Sequence, residues 1–133
     1  MSQRYLLDTN VVSHIMQGRD TALLARLVAL SVGQVVISSV TLAELEYGLH
    51  RRGQPERLRN ALAQLLLRME VLAWDEQAAL RYGELAAQLA LRGITLASMD
   101  MMIAAHAVAV DATLVSRDKA FAQVQPKLRL EVW

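Results

Sequence analysis

The hydrophobic residues of this chain fall into short unbroken runs and longer stretches with a helical period. Short runs that are apolar throughout are typical of strands covered on both faces of a parallel sheet, and helical stretches between them are typical of βα units. The last run alternates apolar and charged residues, which predicts an edge strand. The five predicted strands span residues 4–7, 34–38, 71–74, 113–116 and 128–132.

Capping residues mark the ends of the two longest predicted helices. Pro55 and Glu56 open a helix whose apolar positions recur every three or four residues as far as Met69. Asp75 is placed to cap the N-terminus of the next helix, and Gly93 is placed to end it.

Four more helices complete the predicted fold. Thr41 and Glu44 have the spacing of a capping box, which predicts a helix that begins there. Ser98 is placed to open another, over residues 99–110. The other two predicted helices span residues 11–17 and 21–31. Together the elements predict an α/β fold, a three-layer α/β/α sandwich with a mainly parallel five-stranded sheet.

Length and composition define the broad class of protein. The chain has 133 residues, within the ~100–200 of one domain, so we expect a single domain over residues 1–133. It contains no cysteine, which excludes disulfides, thiol nucleophiles and cysteine-ligated zinc sites. The longest uncharged apolar run, 101–110, is shorter than the ~20 residues of a membrane span, and no secretory signal is recognised. We therefore expect a cytoplasmic protein.

Charge and hydrophobic content suggest what the protein binds. The net charge of +1 excludes a strongly basic protein that wraps nucleic acid. Hydrophobic residues make up 54% of the chain, above the ~45–50% typical of globular proteins. We hypothesise that a partner chain covers part of this excess.

Four acidic residues are predicted to lie at one edge of the sheet. Asp8 directly follows the first strand, and Glu44 is expected in the first turn of the helix after the second. Asp100 is expected in the first turn of the helix that leads into the fourth strand, and Asp118 follows that strand by two residues. In a parallel sheet these positions all belong to the carboxyl edge, where open α/β sheets form their ligand crevices.

The same topological argument also selects Asp20 and Asp75, so it does not define a site by itself. Each of the four acids has a structural explanation as well, as a helix cap, a turn residue or a partner of a helix dipole. Periodicity does not say which acids lie on neighbouring strands. At this point both interpretations stay open.

If several of these carboxylates converge, their charges favour a bound cation. Two like charges 4 Å apart repel by roughly 4 kcal/mol at an effective dielectric constant near 20. A cluster of acids therefore persists when it is partly protonated or holds a metal ion. Ligands that are all oxygen favour Mg²⁺ or Mn²⁺, and such a site at an open edge indicates phosphate chemistry.

Four segments of the chain resemble the PIN-domain nucleases: LLDTN at 6–10, ISSVTLAELEYG at 37–48, MDMMIAAHA at 99–107 and LVSRDKAF at 114–121. Within that family the chain is most similar to the toxin ribonucleases of VapBC-type toxin–antitoxin modules. The resemblance covers nearly the whole chain, as far as LRLEVW at residues 128–133.

The resemblance implies a fold and an activity. The implied strand order 3-2-1-4-5 places strands one and four side by side and leaves Asp75 as a helix cap beyond an edge strand. The implied activity is metal-dependent cleavage of RNA, of tRNA or rRNA, to 5′-phosphate and 3′-hydroxyl ends. Asp8 and Asp100 are the expected principal ligands of Mg²⁺, which Mn²⁺ is expected to replace. Glu44 and Asp118 are expected to complete the site and to orient or deprotonate the attacking water.

Other residues near these motifs are candidates for supporting roles. Thr9, Asn10 and Ser116 are candidates for orienting the acids or the water, with loop formation as the alternative. The candidates for contacts with RNA phosphates are Arg117, Lys119, Arg51 and Arg52, the last two of which also suit the end of a helix. The resemblance further implies a small VapB-type antitoxin as partner and a homodimer.

Two other functional classes fit parts of the sequence. A phosphatase of the haloacid-dehalogenase type also has Asp at the end of strand one, but it requires D-x-D, and Asn10 cannot donate a proton as the second acid does. A non-catalytic PIN-like scaffold that binds RNA or a partner chain is the other alternative. The histidines each follow a site acid by six residues, a spacing that does not share a helix face, so we expect structural or exposed roles for His14, His50 and His106.

Overall fold

The computed structural model of the protein describes residues 3–133. Its elements, in chain order, are β1 (Tyr5–Leu7), α1 (Thr9–Gln17), α2 (Thr21–Val28), β2 (Val35–Ser38), α3 (Ser39–Arg51), α4 (Glu56–Leu66), β3 (Glu70–Leu72), α5 (Glu76–Leu91), α6 (Ser98–Ala109), β4 (Thr113–Val115), a 3₁₀ helix (Lys119–Val124) and β5 (Leu130–Glu131).

The strands form one parallel sheet in the order β3-β2-β1-β4-β5. β1 lies at the centre, where Tyr5 is opposite Val35 on one side and Thr113 on the other. This confirms the predicted five-stranded parallel sheet and its strand order. The carboxyl ends of all five strands consequently lie at the same edge.

Alternate residues of the inner strands pack on opposite faces of the sheet. Leu7 and Ile37 belong to a core shared with α1, α2 and α4, whereas Leu6 and Leu114 belong to a core shared with α5 and α6. All four side chains are completely buried. Burial on both faces explains the unbroken apolar runs, and the predicted three-layer sandwich is confirmed.

The predicted start of α3 is wrong. Ser38, at the end of β2, caps the helix because its Oγ accepts a hydrogen bond from the backbone N–H of Val40 at 3.1 Å. The helix therefore begins at Ser39, and Thr41 and Glu44 do not form a capping box. Glu44 lies in the second turn of α3 rather than in the first.

Two smaller boundary predictions also need correction. Ser98 is the first helical residue of α6, and Ala97 occupies the cap position without a side-chain hydrogen bond. The predicted edge strand 128–132 is reduced to two residues, and Val132 is 65% exposed instead of facing a core. Its edge position in the sheet is confirmed.

Aspartates cap three helices near the carboxyl edge of the sheet. The side chains of Asp8, Asp20 and Asp75 each accept a hydrogen bond from the backbone N–H three residues later, at the start of α1, α2 and α5 respectively. The cap assigned to Asp75 is confirmed, and Gly93 follows α5 with a φ of 72°, as predicted for a residue that ends a helix.

Among residues 3–133, no helix is both long and apolar enough to span a membrane.

Candidate active site

Asp8 lies directly after the central strand and is only 4% exposed. Its Oδ1 accepts a hydrogen bond from the N–H of Val11 at 2.9 Å, and its Oδ2 accepts one from the hydroxyl of Ser116. Burial raises the pKa of this carboxyl above its ordinary value, the two hydrogen bonds lower it, and repulsion from Asp118 and Glu44 raises it further. The net shift of the pKa is upward, so the two hydrogen bonds do not fully offset the cost of burying the charge of Asp8 near other acids.

Ser116 connects two of the acids across neighbouring strands. It follows β4, which is paired with β1, and it is completely buried. While its hydroxyl donates to Asp8, the same oxygen accepts the backbone N–H of Asp118 at 3.0 Å. The Asp118 side chain also caps the 3₁₀ helix through the N–H of Ala120 at 2.9 Å. One serine thus fixes Asp8 and the backbone of Asp118 in relation to each other.

Glu44 is held by a threonine from α1. The Thr9 hydroxyl donates to Glu44 Oε1 at 2.6 Å and lies 3.2 Å from the hydroxyl of Thr41. Thr9 follows Asp8 in the chain, so the start of α1 both places Asp8 and orients Glu44. Thr41, which sequence reasoning assigned to a cap, instead supports this contact.

Asp100 is half-buried in the first turn of α6. Burial raises the pKa of its carboxyl, and repulsion from Asp118, Glu44 and Asp8 raises it further. Asp100 therefore lies within electrostatic reach of the other three acids. All four acids thus lie at the carboxyl edge of the sheet.

The four acids provide only oxygen ligands. Their mutual repulsion would be relieved by a cation, and a carboxylate set without nitrogen or sulfur suits a hard divalent ion such as Mg²⁺. Among residues 3–133, however, no three acidic or histidine side chains converge closely enough to hold a metal ion in the present side-chain arrangement. The site thus has suitable ligand atoms and charge, but its carboxylates do not surround a common point.

The basic candidates occupy different surroundings. Arg117 donates to Asp20 at 2.7 Å and to the backbone carbonyl of Trp133 at 2.9 Å, so its guanidinium is engaged by the protein itself. Lys119 is exposed at the start of the 3₁₀ helix. Arg51 is exposed at the end of α3 and donates to the hydroxyl of Tyr47, and Arg52 follows it at the edge of a cleft.

The three histidines have the surroundings predicted for them. His14 and His50 are exposed. His106 is buried, its Nδ1 lies 2.8 Å from the hydroxyl of Ser38, and burial lowers its pKa. The prediction of structural or exposed roles is confirmed.

A cleft of about 140 Å³ between α1 and α3 opens beside Glu44. Sequence reasoning identified Asn10 and Arg52 on its wall but missed Ser13, Gln17 and Gly48. The helical period could have identified two of them, because Ser13 lies three residues after Asn10 and Gly48 lies four residues after Glu44, spacings that place side chains on the same helix face.

Comparison with known proteins places this chain in a family. The PIN domain family matches residues 5–126. Ribonuclease VapC2 of Rickettsia felis is 34% identical over 131 residues, which is 97% of each chain. The tRNA(fMet)-specific endonuclease VapC of Salmonella typhimurium is 32% identical over 130 residues, which is 98% of each chain.

Solved structures agree with these matches. The VapBC2 structure from Rickettsia felis, bound to a DNA fragment from its promoter, superposes with a TM-score of 0.90 at 31% identity, covering 98% of this chain and 99% of the other. DNA-bound VapBC from Salmonella typhimurium gives a TM-score of 0.90 at 32% identity, covering 98% of both chains. The chain belongs to the PIN-domain family and, within it, to the VapC ribonucleases.

Proposed function

We propose that this protein is the endoribonuclease toxin of a VapBC-type module and that Asp8, Glu44, Asp100 and Asp118 form its active site. The observation that carries the proposal is the placement of four acids at the carboxyl edge of a PIN-type sheet, with Asp8 and Asp100 each within electrostatic reach of Glu44 and Asp118. The proposed reaction is hydrolysis of RNA phosphodiesters, of tRNA or rRNA, to 5′-phosphate and 3′-hydroxyl ends.

A divalent cation fits the chemistry of these residues. We propose Mg²⁺, with Mn²⁺ able to replace it. The raised pKa values of Asp8 and Asp100 are consistent with negative charge that a cation would compensate. Since no three ligands converge among residues 3–133, binding requires some of these side chains to turn toward one another. When bound, such an ion polarises a phosphodiester and lowers the pKa of a water molecule.

We propose a part for each acid, as the family resemblance implies. Asp8 and Asp100 are the proposed principal metal ligands, and Ser116 holds Asp8 in its orientation through the hydroxyl hydrogen bond. Glu44 and Asp118 complete the site and orient or deprotonate the attacking water. Thr9 holds Glu44 through the 2.6 Å hydrogen bond, which supports its predicted orienting role.

A VapB-type antitoxin is the proposed partner, because the solved relatives are VapBC complexes. Large apolar side chains are exposed on α2 and after α4, which supports the hypothesis that a partner chain covers part of the apolar surface. These residues are Leu24, Val28 and Leu67. A homodimer is also proposed, as the resemblance implies.

The test is cleavage of total cellular RNA by antitoxin-free protein in Mg²⁺, Mn²⁺ or EDTA, with the new 5′ ends mapped. We expect discrete cuts that require metal and that Asp8→Asn abolishes while the fold is retained. Asp75→Asn is the matched control, because Asp75 caps α5 beyond the edge strand and is expected to be dispensable for cleavage. Undiminished activity of Asp8→Asn at saturating Mg²⁺ would refute the site. If the folded wild-type protein cuts no RNA in any metal, the non-catalytic scaffold becomes the better interpretation.

A further inference from the structure

We infer that the cleft between α1 and α3 binds a single unpaired RNA base next to the phosphate that is cleaved. This inference rests on the proposed function, because it extends the same site along the substrate. Glu44 belongs both to the acidic edge and to the wall of the cleft. A base seated in the cleft would thus hold its neighbouring phosphate beside the acids.

The size and lining of the cleft suit one base. Its volume of about 140 Å³ is well below the ~300–1,000 Å³ of sites that enclose drug-sized ligands. The apolar side chains that line it, among them Met16 and Leu49, are buried and form its floor, whereas the polar ones are more exposed and form its rim. A planar ring with hydrogen-bonding edges matches an apolar floor with a polar rim.

The polar side chains at the rim are free to bind a ligand. Asn10, Ser13 and Gln17 follow one another at helical spacing along one side of α1, and Arg52 lies opposite them at the end of α3. Within residues 3–133, none of these four side chains hydrogen-bonds to another residue. Amide and guanidinium groups are the ones that read base edges in pairs of hydrogen bonds, and unpaired RNA exposes those edges.

Gly48 keeps the cleft open. It stands between Glu44 and Arg52 on one face of α3, each four residues away. A Cβ built at Gly48 meets no other atom within 4 Å, so the protein's own packing does not require a glycine there. Any larger side chain at position 48 would instead enter the space where the base is inferred to bind.

Gly48→Leu is therefore the variant that tests the inference, with Gly83→Leu as the matched control. Gly83 also lies in a helix, α5, and a Cβ there likewise meets nothing within 4 Å, but it does not line the cleft. Leucine favours helix relative to glycine, so both variants are expected to fold, which thermal unfolding would verify.

The substrates are a short oligoribonucleotide that contains the mapped cleavage site and versions that lack one base beside the cut. For wild type and Gly83→Leu, removing the base in the cleft should lower kcat/KM by roughly 10- to 100-fold, the usual worth of good contacts to a base. Gly48→Leu should cut the intact substrate about as slowly as wild type cuts the abasic one, and it should be insensitive to the missing base.

Other results would overturn the inference. One is wild-type cleavage that depends on no base beside the cut, and another is a Gly48→Leu protein that cuts intact and abasic substrates more slowly by the same factor. A third such result is a Gly48→Leu protein that binds the antitoxin more weakly but still depends on the base. That result would make the cleft a binding site for the antitoxin. If the wild type cuts no RNA, the proposed function fails by itself. Affinities of the same variants for homopolymeric RNA of each base and for an abasic oligomer then decide the inference, which requires wild type and Gly83→Leu, but not Gly48→Leu, to bind a base-bearing RNA more tightly than the abasic one.

Discussion

Asp8 is buried and Asp100 is half-buried, and the two carboxylates differ in their hydrogen bonds. Asp8 accepts two hydrogen bonds that favour its charged form, whereas within residues 3–133 no hydrogen bond to the Asp100 carboxylate is present. Both carboxyls have a raised pKa, for Asp100 through burial and repulsion from its three acidic neighbours. In the metal-free protein, the charge of Asp100 therefore opposes folding.

Replacing Asp100 with Asn is expected to increase the free energy of unfolding of the metal-free protein at neutral pH. A carboxyl whose pKa is higher in the folded state than its ordinary 3.8 reduces stability as pH rises between those two values. The gain from Asp100→Asn should thus be present at neutral pH and disappear as pH falls toward 3.8. Urea unfolding of both proteins in EDTA across this pH range measures it.

Glu70→Gln provides the control for Asp100→Asn. Glu70 is an exposed acid on the edge strand β3, and no ion pair to it occurs within residues 3–133. Removing its charge should leave stability nearly unchanged. An equal gain in both variants would mean that a general reduction of negative charge, rather than the acidic cluster, is responsible.

At this scale, the sequence predicted where the acids lie but not how they are held. Asp8 was identifiable because it ends a buried strand, a position set by local pattern. The contacts of Ser116 with Asp8 and of Thr9 with Glu44 join residues 108 and 35 positions apart. Such pairs depend on strand pairing and helix packing, which periodicity does not encode.

Helices α3 and α6 each carry one of the acids, and a buried hydrogen bond joins them. His106 of α6 contacts the hydroxyl of Ser38, the residue that caps α3. Glu44 lies six residues after Ser38, and Asp100 lies six residues before His106. This hydrogen bond therefore helps to set the relative position of the two acid-bearing helices.

Substituting His106 with Leu is expected to lower the free energy of unfolding by about 1–3 kcal/mol, the usual effect of losing a buried hydrogen bond and its packing. The pH dependence should change as well. Burial lowers the pKa of His106 below its ordinary 6.5, so its contribution is fully present above pH 6.5 and is lost as pH falls through the folded-state pKa. The wild type should lose stability on acidification in this range, and His106→Leu should lose less.

Denaturant unfolding at a series of pH values, with His14→Gln as control, checks the prediction for His106. His14 is exposed on α1 and makes no hydrogen bond or ion pair through its side chain within residues 3–133, so its replacement controls for the loss of a histidine that is not part of the buried contact. A His106→Leu protein with an unchanged profile would show that other groups control the acid sensitivity.

The same hydrogen bond explains why the start of α3 was mispredicted. Local rules favoured Thr41 as the cap because Glu44 follows it at the spacing of a capping box. The helix begins earlier, where Ser38 both caps α3 and contacts a histidine 68 residues away. The order of the strands, in contrast, followed from the family resemblance, and their number from the apolar runs.

At the scale of the whole molecule, Trp133 connects the central strand of the sheet to the segment that carries Asp118. The Trp133 ring packs on Tyr5 of the central strand at 5.6 Å between centroids, and the guanidinium of Arg26 lies 5.1 Å from the Trp133 ring. Arg26 also pairs with Glu131 of β5 at 2.6 Å. The carbonyl of Trp133 accepts a hydrogen bond from Arg117, the residue before Asp118. Arg117 is consequently held by this cluster and by Asp20, which makes Lys119 the better placed of the two for RNA.

Trp133→Ala is expected to separate stability from catalysis. The substitution removes the ring contacts with Tyr5 and Arg26, which should lower the free energy of unfolding by about 1–3 kcal/mol. It keeps the backbone carbonyl that binds Arg117, so the neighbourhood of Asp118 should be preserved and kcat/KM at temperatures well below unfolding should equal that of the wild type. Val132→Ala is the control, because Val132 is exposed and its loss should change neither quantity. A Trp133→Ala protein of unchanged stability but reduced cleavage would contradict this account, because it would mean that the ring acts on the substrate rather than on the fold.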